Sequence, residues 1–432
     1  MRYLLLTVLL ALPALASAAP KIEHWVTGNG ARAYFIETHA LPIVDVSLVF
    51  NAAAARDPVS RQGLAMLTSD MLLEGSGSLD SKAVAEGFEA RGAEIATSSL
   101  RDMAIVSLRT LSDSEYLGPV SDLLATVISR PTFPQDSLDR EKARSLQSLD
   151  YALQQPRTLA KRKLYESLYA GHPYANHPEG THETLKSIKR EDLIAFYLQH
   201  YVARNMVIAI VGDLDLDEAR KLSEKISGKL PEGKKAMPLP PVPPSGSAMQ
   251  RIEFPSSQSH IMSGYQGISR DNPLYLALKV ANYSLGGGSF QSRLMDELRD
   301  KRGLTYGAYS YFLPMQQTGP FIAGLSTRND QVDDALKVNN RVIDEYLKSG
   351  PTDKEVDMAK KNITGGFPLT IDSNKKLVST LASIGFYSLP LDYLDTYIER
   401  VNALDRDKVT KALQSALSPA DRVTVIVGNG KE

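Results

Sequence analysis

The chain has 432 residues, 43% of them hydrophobic and 23% charged, with Lys and Arg totalling 49 against 50 Asp and Glu and no cysteine at all. The length allows two or three domains of about 150 residues, and the composition is that of a water-soluble globular chain. The charge balance leaves no basic excess for a nucleic-acid backbone, and the lack of cysteine excludes disulfide frameworks, iron–sulfur clusters, cysteine-ligated zinc and a cysteine nucleophile.

Residues 1–18 read as a secretory signal peptide. Arg2 supplies the positive start, an apolar run extends from Leu4 to Leu15, and Ala16-Ser17-Ala18 has the small-x-small form of a cleavage site. The run is shorter than the roughly 20 residues that a membrane span needs. A soluble periplasmic protein, with no membrane association after cleavage, is therefore the expectation. Cleavage after Ala18 leaves 432 − 18 = 414 residues and, with Arg2 removed, a net charge of 48 − 50 = −2.

Ala31–Glu37 and Ile43–Phe50 are β-branched or aromatic enough to be strands. Helical patterns follow at 61–74 and 80–91, strands at 93–99 and 103–109, and further helices between 113 and 200. A Pro-rich stretch at 231–244 and Ser-Gly-Ser at 245–247 read as an interdomain linker about which the halves open and close. The expected domains are 19–229 and 250–432, joined by residues 230–249. The second half repeats the order, with strands near 251–267, helices near 273–300, strands near 304–326, then helices. SLVFNAAAARDP at 47–58 aligns with MSGYQGISRDNP at 262–273, a shift of 215, and residues 192–213 parallel 407–429 at a shift of 215 to 216. Agreement at both ends points to duplication. Adjacent strands with helices in runs give an α+β fold with antiparallel sheets.

Three signatures lie in fixed order in the first half: the 31–58 segment followed by Gly63-Leu64-Ala65, then His172-Pro173-Tyr174, then Val211-Gly212-Asp213. In this the chain resembles the pitrilysin/insulinase (mitochondrial processing peptidase) family over nearly its whole mature length. Active members carry H-x-x-E-H on their first helix. Two His at i and i+4 share a helix face and bind zinc, and the Glu between them takes a proton from metal-bound water. Aligned on Gly63-Leu64-Ala65, these positions are Met66, Ser69 and Asp70 here, and Ser148 takes the place of the third ligand when Glu141 is aligned with a family Glu seven residues before it. A thioether, two hydroxyls and a lone carboxylate are poor replacements, so no metal is expected in this chain. The helix itself keeps an apolar stripe at Leu64, Leu67 and Met71. His172, His177 and His182 recur every five residues in a Pro- and Gly-rich stretch. His172 reads as part of the His-Pro-Tyr loop and the other two as surface residues.

Residues 285–312 read LGGGSFQSRLMDELRDKRGLTYGAYSYF. Gly286, Gly287 and Gly288 suggest a flexible loop with close backbone approach, and Ser289 can cap the following helix. Phe290, Leu294 and Leu298, four apart, give that helix a buried stripe. Gly303 ends it, and Leu304–Phe312 alternates as a strand. The resemblance implies that Arg299 and Tyr306, seven apart, are the pair which the family's second domain directs at substrate. Arg offers a fork of donors to peptide carbonyls or carboxylates, and a Tyr hydroxyl can donate to the scissile carbonyl and the oxyanion that grows on it. Some two-subunit members divide the labour in this way. The resemblance thus implies a non-catalytic, substrate-binding subunit of a zinc metallopeptidase, inactive alone, whose homologous partner carries H-x-x-E-H and the zinc. The alternative is a structural or peptide-binding scaffold with no role in proteolysis.

Overall fold

The structure, a computed structural model, describes residues 20–430; the signal peptide read at 1–18 lies outside them. The first half runs β1 (Glu23–Val26), β2 (Arg32–Glu37), β3 (Ile43–Phe50), α1 (Leu64–Asp70), a short hairpin of β4 (Gly75–Ser76) and β5 (Leu79–Asp80), α2 (Ser81–Glu89), β6 (Glu94–Ser99) and β7 (Ala104–Leu111). Five helices follow: α3 (Ser114–Ser129), α4 (Gln135–Leu153), α5 (Pro156–Leu168), α6 (His182–Ser187) and α7 (Arg190–His200). The half closes with β8 (Met206–Gly212) and α8 (Leu216–Ser227). Its sheet has the order β1-β2-β8-β3-β7-β6. Only β2 and β8 are parallel neighbours. β8 is apolar and β3 nearly so, with Asp45 and Ser47 its polar residues, and both are buried almost throughout, as strands covered on both sides must be. The edge strand β6 alternates exposed and half-buried residues.

The second half runs β9 (Ala248–Pro255), β10 (Gln258–Gln266), α9 (Tyr275–Asn282), α10 (Arg293–Met295), β11 (Ala308–Phe312), β12 (Pro320–Arg328), α11 (Val332–Ser349), α12 (Asp353–Gly366), α13 (Asn374–Tyr387), α14 (Tyr393–Asn402), α15 (Arg406–Ala416) and β13 (Val423–Gly430). Its sheet has the order β11-β12-β10-β13-β9, again with one parallel pair, β9 and β13. The register repeats as well. Ser47 lies opposite Ala209 in the first sheet and Met262 opposite Val425 in the second, at shifts of 262 − 47 = 215 and 425 − 209 = 216. The strand expected from Leu304 begins only at Ala308. Before it, Gly303 turns the chain with φ of 61°, and Thr305 Oγ1 donates to Gly307 O at 2.9 Å and accepts from Gly307 N at 3.1 Å.

Each half lends a helix to the other. α5 packs on β10 and β13 of the second sheet, and α13 packs on β2, β3 and β8 of the first. Leu164 and Leu168 share a core with Met262, Ile322 and Val425, and Leu381 and Ile384 share one with Tyr34 and Val207. A glycine permits each approach. A Cβ on Gly264 of β10 would stand 2.8 Å from Leu164 and Leu168, and one on Gly385 of α13 would stand 2.7 Å from Tyr34 and Val207. The Pro-rich stretch is also pinned. Carbonyls of Met237 and Pro240 accept from Arg56 at 2.8 Å and His172 at 2.9 Å in the first half, and those of Leu239 and Pro243 from Gln317 at 3.1 Å and Gln266 at 2.7 Å in the second. Leu239 is buried. The stretch is thus held by both halves, and opening them about it would also strip two crossing helices from apolar sheet faces.

Candidate functional site

The first helix is fixed by its own sequence. Buried Asp57 accepts from Gly63 N and Ala65 N, each at 2.8 Å, which anchors the start of α1. Leu64, Leu67 and Met71 face the core. The opposite side of α1 and the inner side of α4 enclose a cavity of about 530 Å³, with Met66, Asp70, Glu141 and Ser148 on its wall and Thr97 of β6 beside them. The three positions expected to match the family's zinc ligands, Met66, Asp70 and Ser148, thus meet in one place, while Ser69, at the position of the proton-accepting Glu, is fully buried with its hydroxyl unpartnered among the described residues. Burial, and the charge of Glu141, push the Asp70 carboxyl up to about 6 against the pull of Arg144. Glu141 is engaged by Arg144 at 3.2 Å. These groups do not fit zinc, for a thioether and a hydroxyl stand where nitrogen and carboxylate donors are needed. Among the described residues no cluster of three or more His, Asp or Glu could hold a metal ion.

In the second half, Gly286 and Gly287 lie in a π-helical turn at Tyr283–Gly287 rather than in a loop. The reason is packing against β11. A Cβ on Gly286 would stand 2.5 Å from Ser310 N, and one on Gly287 2.5 Å from Asn282 Nδ2. Gly288 closes the turn, its N–H donating to Tyr283 O at 2.7 Å. Asn282 Nδ2 donates to Ser310 O at 2.9 Å and so covers the outer edge of β11. Ser289 has φ of 53° and does not cap; Ser292 does, accepting from Met295 N at 3.4 Å. The break rotates Phe290 out of the expected stripe. It is 65% exposed, while Leu294 and Leu298 are buried. Arg299 stacks on Phe290, its guanidinium carbon 4.9 Å from the ring centroid. Tyr306 is 89% exposed and shares with Phe290 the wall of a cavity of about 600 Å³.

His172 accepts from Tyr174 N at 3.0 Å through Nδ1, which fixes the His-Pro-Tyr turn. His182 is exposed, bonded to Asp150 at 2.6 Å, but the surface reading of His177 is corrected. It is buried and meets Glu166 at 2.8 Å. Arg157, Tyr309 and Tyr311 also line the second cavity and were not singled out by the sequence. The alternation of Tyr309 and Tyr311 on one strand face was a usable signal; nothing in the sequence ties Arg157, at the start of α5, to a strand some 150 residues later.

The family model described as "Insulinase (Peptidase family M16)" matches residues 33–182, and that described as "Peptidase M16 inactive domain" matches 187–363. A Helicobacter pylori relative named "Non-peptidase homolog YmxG" is 25% identical, the match covering 100% of both chains. The crystal structure of a peptidase M16 inactive domain from Pseudomonas fluorescens is 39% identical, with a TM-score of 0.91 over 95% of this chain and 99% of that one. The periplasmic protease PqqL of Escherichia coli, 16% identical with a TM-score of 0.79, has the same fold over 96% of this chain and 46% of its own.

Proposed function

This chain belongs to the peptidase M16 (insulinase) family, and we propose that within it the protein is a non-catalytic, substrate-binding subunit, exported to the periplasm. Its partner is a homologous chain carrying H-x-x-E-H, which holds the zinc and the proton-accepting Glu. This chain contributes Arg299 and Tyr306 to the peptide held between the two. The observation that carries the reading is the contrast between the sites. The metal positions hold Met66, Asp70 and Ser148, while Tyr306 stands exposed at a cavity mouth and Arg299 is steadied by Phe290. The names of the Helicobacter and Pseudomonas relatives agree with a chain that does not cleave alone, and the Escherichia neighbour's name agrees with a periplasmic setting.

The chemistry asked of each residue is simple. The Tyr306 O–H donates to the scissile carbonyl and more strongly to the oxyanion as charge grows there. The Arg299 guanidinium holds a neighbouring peptide carbonyl or carboxylate in register. A scaffold with no part in proteolysis accounts for the altered metal positions equally well, but it gives Tyr306 no reason to be exposed at a cavity. The test is to purify the chain alone and together with a zinc-motif homologue, then measure co-elution, zinc content and peptide cleavage. Cleavage by the pair only is expected; stoichiometric zinc and robust cleavage by the lone chain would sink the proposal.

A further inference from the structure

The second-half cavity has a floor that Arg299 and Tyr306 leave unexplained. Tyr309 lies flat across Gly324, where a Cβ would stand 2.5 Å from the Tyr309 hydroxyl. Its ring is stacked with that of Tyr311 at 6.0 Å and 14°. Phe290, Met262 and Met295 complete an apolar wall. Among the described residues no Asp or Glu lines the cavity, and the one fixed charge they give it is Arg157, brought from the first half by α5. The Arg157 guanidinium sits 5.3 Å from the Tyr309 ring centroid, and Nη2 donates to the Tyr309 hydroxyl at 3.3 Å. It has no carboxylate partner among the described residues. His260 is bonded to Ser326 Oγ at 2.9 Å, and burial together with the Arg157 charge holds its imidazole below the usual range. At neutral pH the positive charge on this floor is therefore that of Arg157 alone.

A volume of about 600 Å³, apolar and aromatic walls and a few placed polar groups, Arg157 the charged one among them, are the usual composition of a site for a small organic ligand or a peptide end. An Arg held by stacking on a tyrosine presents its remaining N–H donors as a fork that matches a carboxylate. The absence of acidic lining removes the repulsion that would otherwise oppose an anion. We propose that this cavity binds the C-terminus of a peptide, with a large apolar or aromatic last side chain against Tyr309, Tyr311 and Phe290 and the free carboxylate on Arg157. The assignment rests on the reading that this face takes peptide, but binding needs no partner subunit. An acidic side chain within a peptide offers the same carboxylate chemistry and is separated from a chain end by the experiment.

The experiment is fluorescence anisotropy on the whole mature chain, alone, at neutral pH. The probes are N-terminally labelled peptides of one sequence ending in Phe, as the free acid, as the C-terminal amide, and as the amide with a Glu before the Phe. The free acid should bind about 10- to 100-fold more tightly than the plain amide, the range set by losing charge-assisted hydrogen bonds. Arg157→Gln should shrink that ratio to within about twofold. Arg157 is exposed at the start of α5, so the variant should fold, and an unchanged thermal midpoint checks this. Gly324→Val, which pushes Tyr309 off the floor, should weaken the free acid without removing its advantage. Equal binding of acid and amide, a ratio that survives Arg157→Gln, or a Glu-containing amide that matches the free acid would each overturn the assignment. If the lone chain binds none of the peptides while turnover by the pair depends on Tyr306, this assignment falls and the proposed function stands. The predicted ratio in a chain whose pair is indifferent to Tyr306 has the opposite meaning.

Discussion

The two cavities belong to halves whose strand orders match apart from the extra edge strand β1, and they differ in charge. The first has Asp70, Glu74, Glu141 and Glu179 on its wall against the single Arg144. The second has Arg157 and, among the described residues, no acidic one. The sheet edges beside them differ too. β6 alternates exposed and half-buried residues, whereas the outer edge of β11 is covered by Asn282 and the glycine turn. Central strands and crossing helices carry the fold, while residues of α1, α4 and β11 face the two cavities. α1 shows both within a few residues. Leu64, Leu67 and Met71 form its core face, and Met66 and Asp70 face the cavity.

If the first cavity lacks only its donors, restoring them should restore metal. Met66→His, Asp70→His and Ser148→Glu together should take up zinc that survives dialysis, measured by atomic absorption, where the wild type takes up none. A triple variant that folds yet stays metal-free would mean that the frame around the site has also been lost. The exchange of helices predicts the next largest effect. Leu164→Ala, in a fully buried position of α5 against the second sheet, should cost about 2–5 kcal/mol in urea unfolding, and both halves should unfold in one transition. A loss under about 1 kcal/mol, or two separate transitions, would contradict the shared core.

The acidic character of the first cavity gives a pH signature. The Asp70 carboxyl is raised to about 6 in the folded chain, chiefly by burial, so the folded state holds a proton that the unfolded state has released. Its favourable contribution is complete below pH 4 and is lost as pH rises through about 6. Asp70→Asn should therefore be more stable than wild type at pH 7 by on the order of 2 kcal/mol and show no advantage at pH 3.5, as read from urea midpoints. In the second cavity the smallest effect is expected. Tyr306→Phe should change stability by less than about 0.5 kcal/mol, because the side chain is 89% exposed and its hydroxyl has no structural partner among the described residues. A larger loss would make Tyr306 a structural residue.

The strands were legible because β-branched runs such as Ile43–Phe50 coincide with buried central strands, and the departure from H-x-x-E-H because its three residues fall within five positions of one helix, at Met66, Ser69 and Asp70. What escaped the sequence depended on distant partners or on a local break in period. The apolar stripe of α5 announces burial without saying that the covering surface is the other half's sheet. The spacing of Phe290, Leu294 and Leu298 assumes an unbroken α-helix, but φ of 53° at Ser289 and the turns around it rotate Phe290 to the surface. His177 looked like a surface residue because the carboxylate it meets, on Glu166, lies on a separate helix. Arg157 enters the second cavity only because α5 crosses over.

Turnover by the reconstituted pair tests the central claim most directly, that the working surface of this chain lies in its second half. With wild-type chain or Tyr306→Phe added to a zinc-motif partner at saturating peptide, kcat should fall about 10²- to 10³-fold for the variant, the effect of removing one oxyanion donor, with KM little changed. An unchanged kcat would contradict the account.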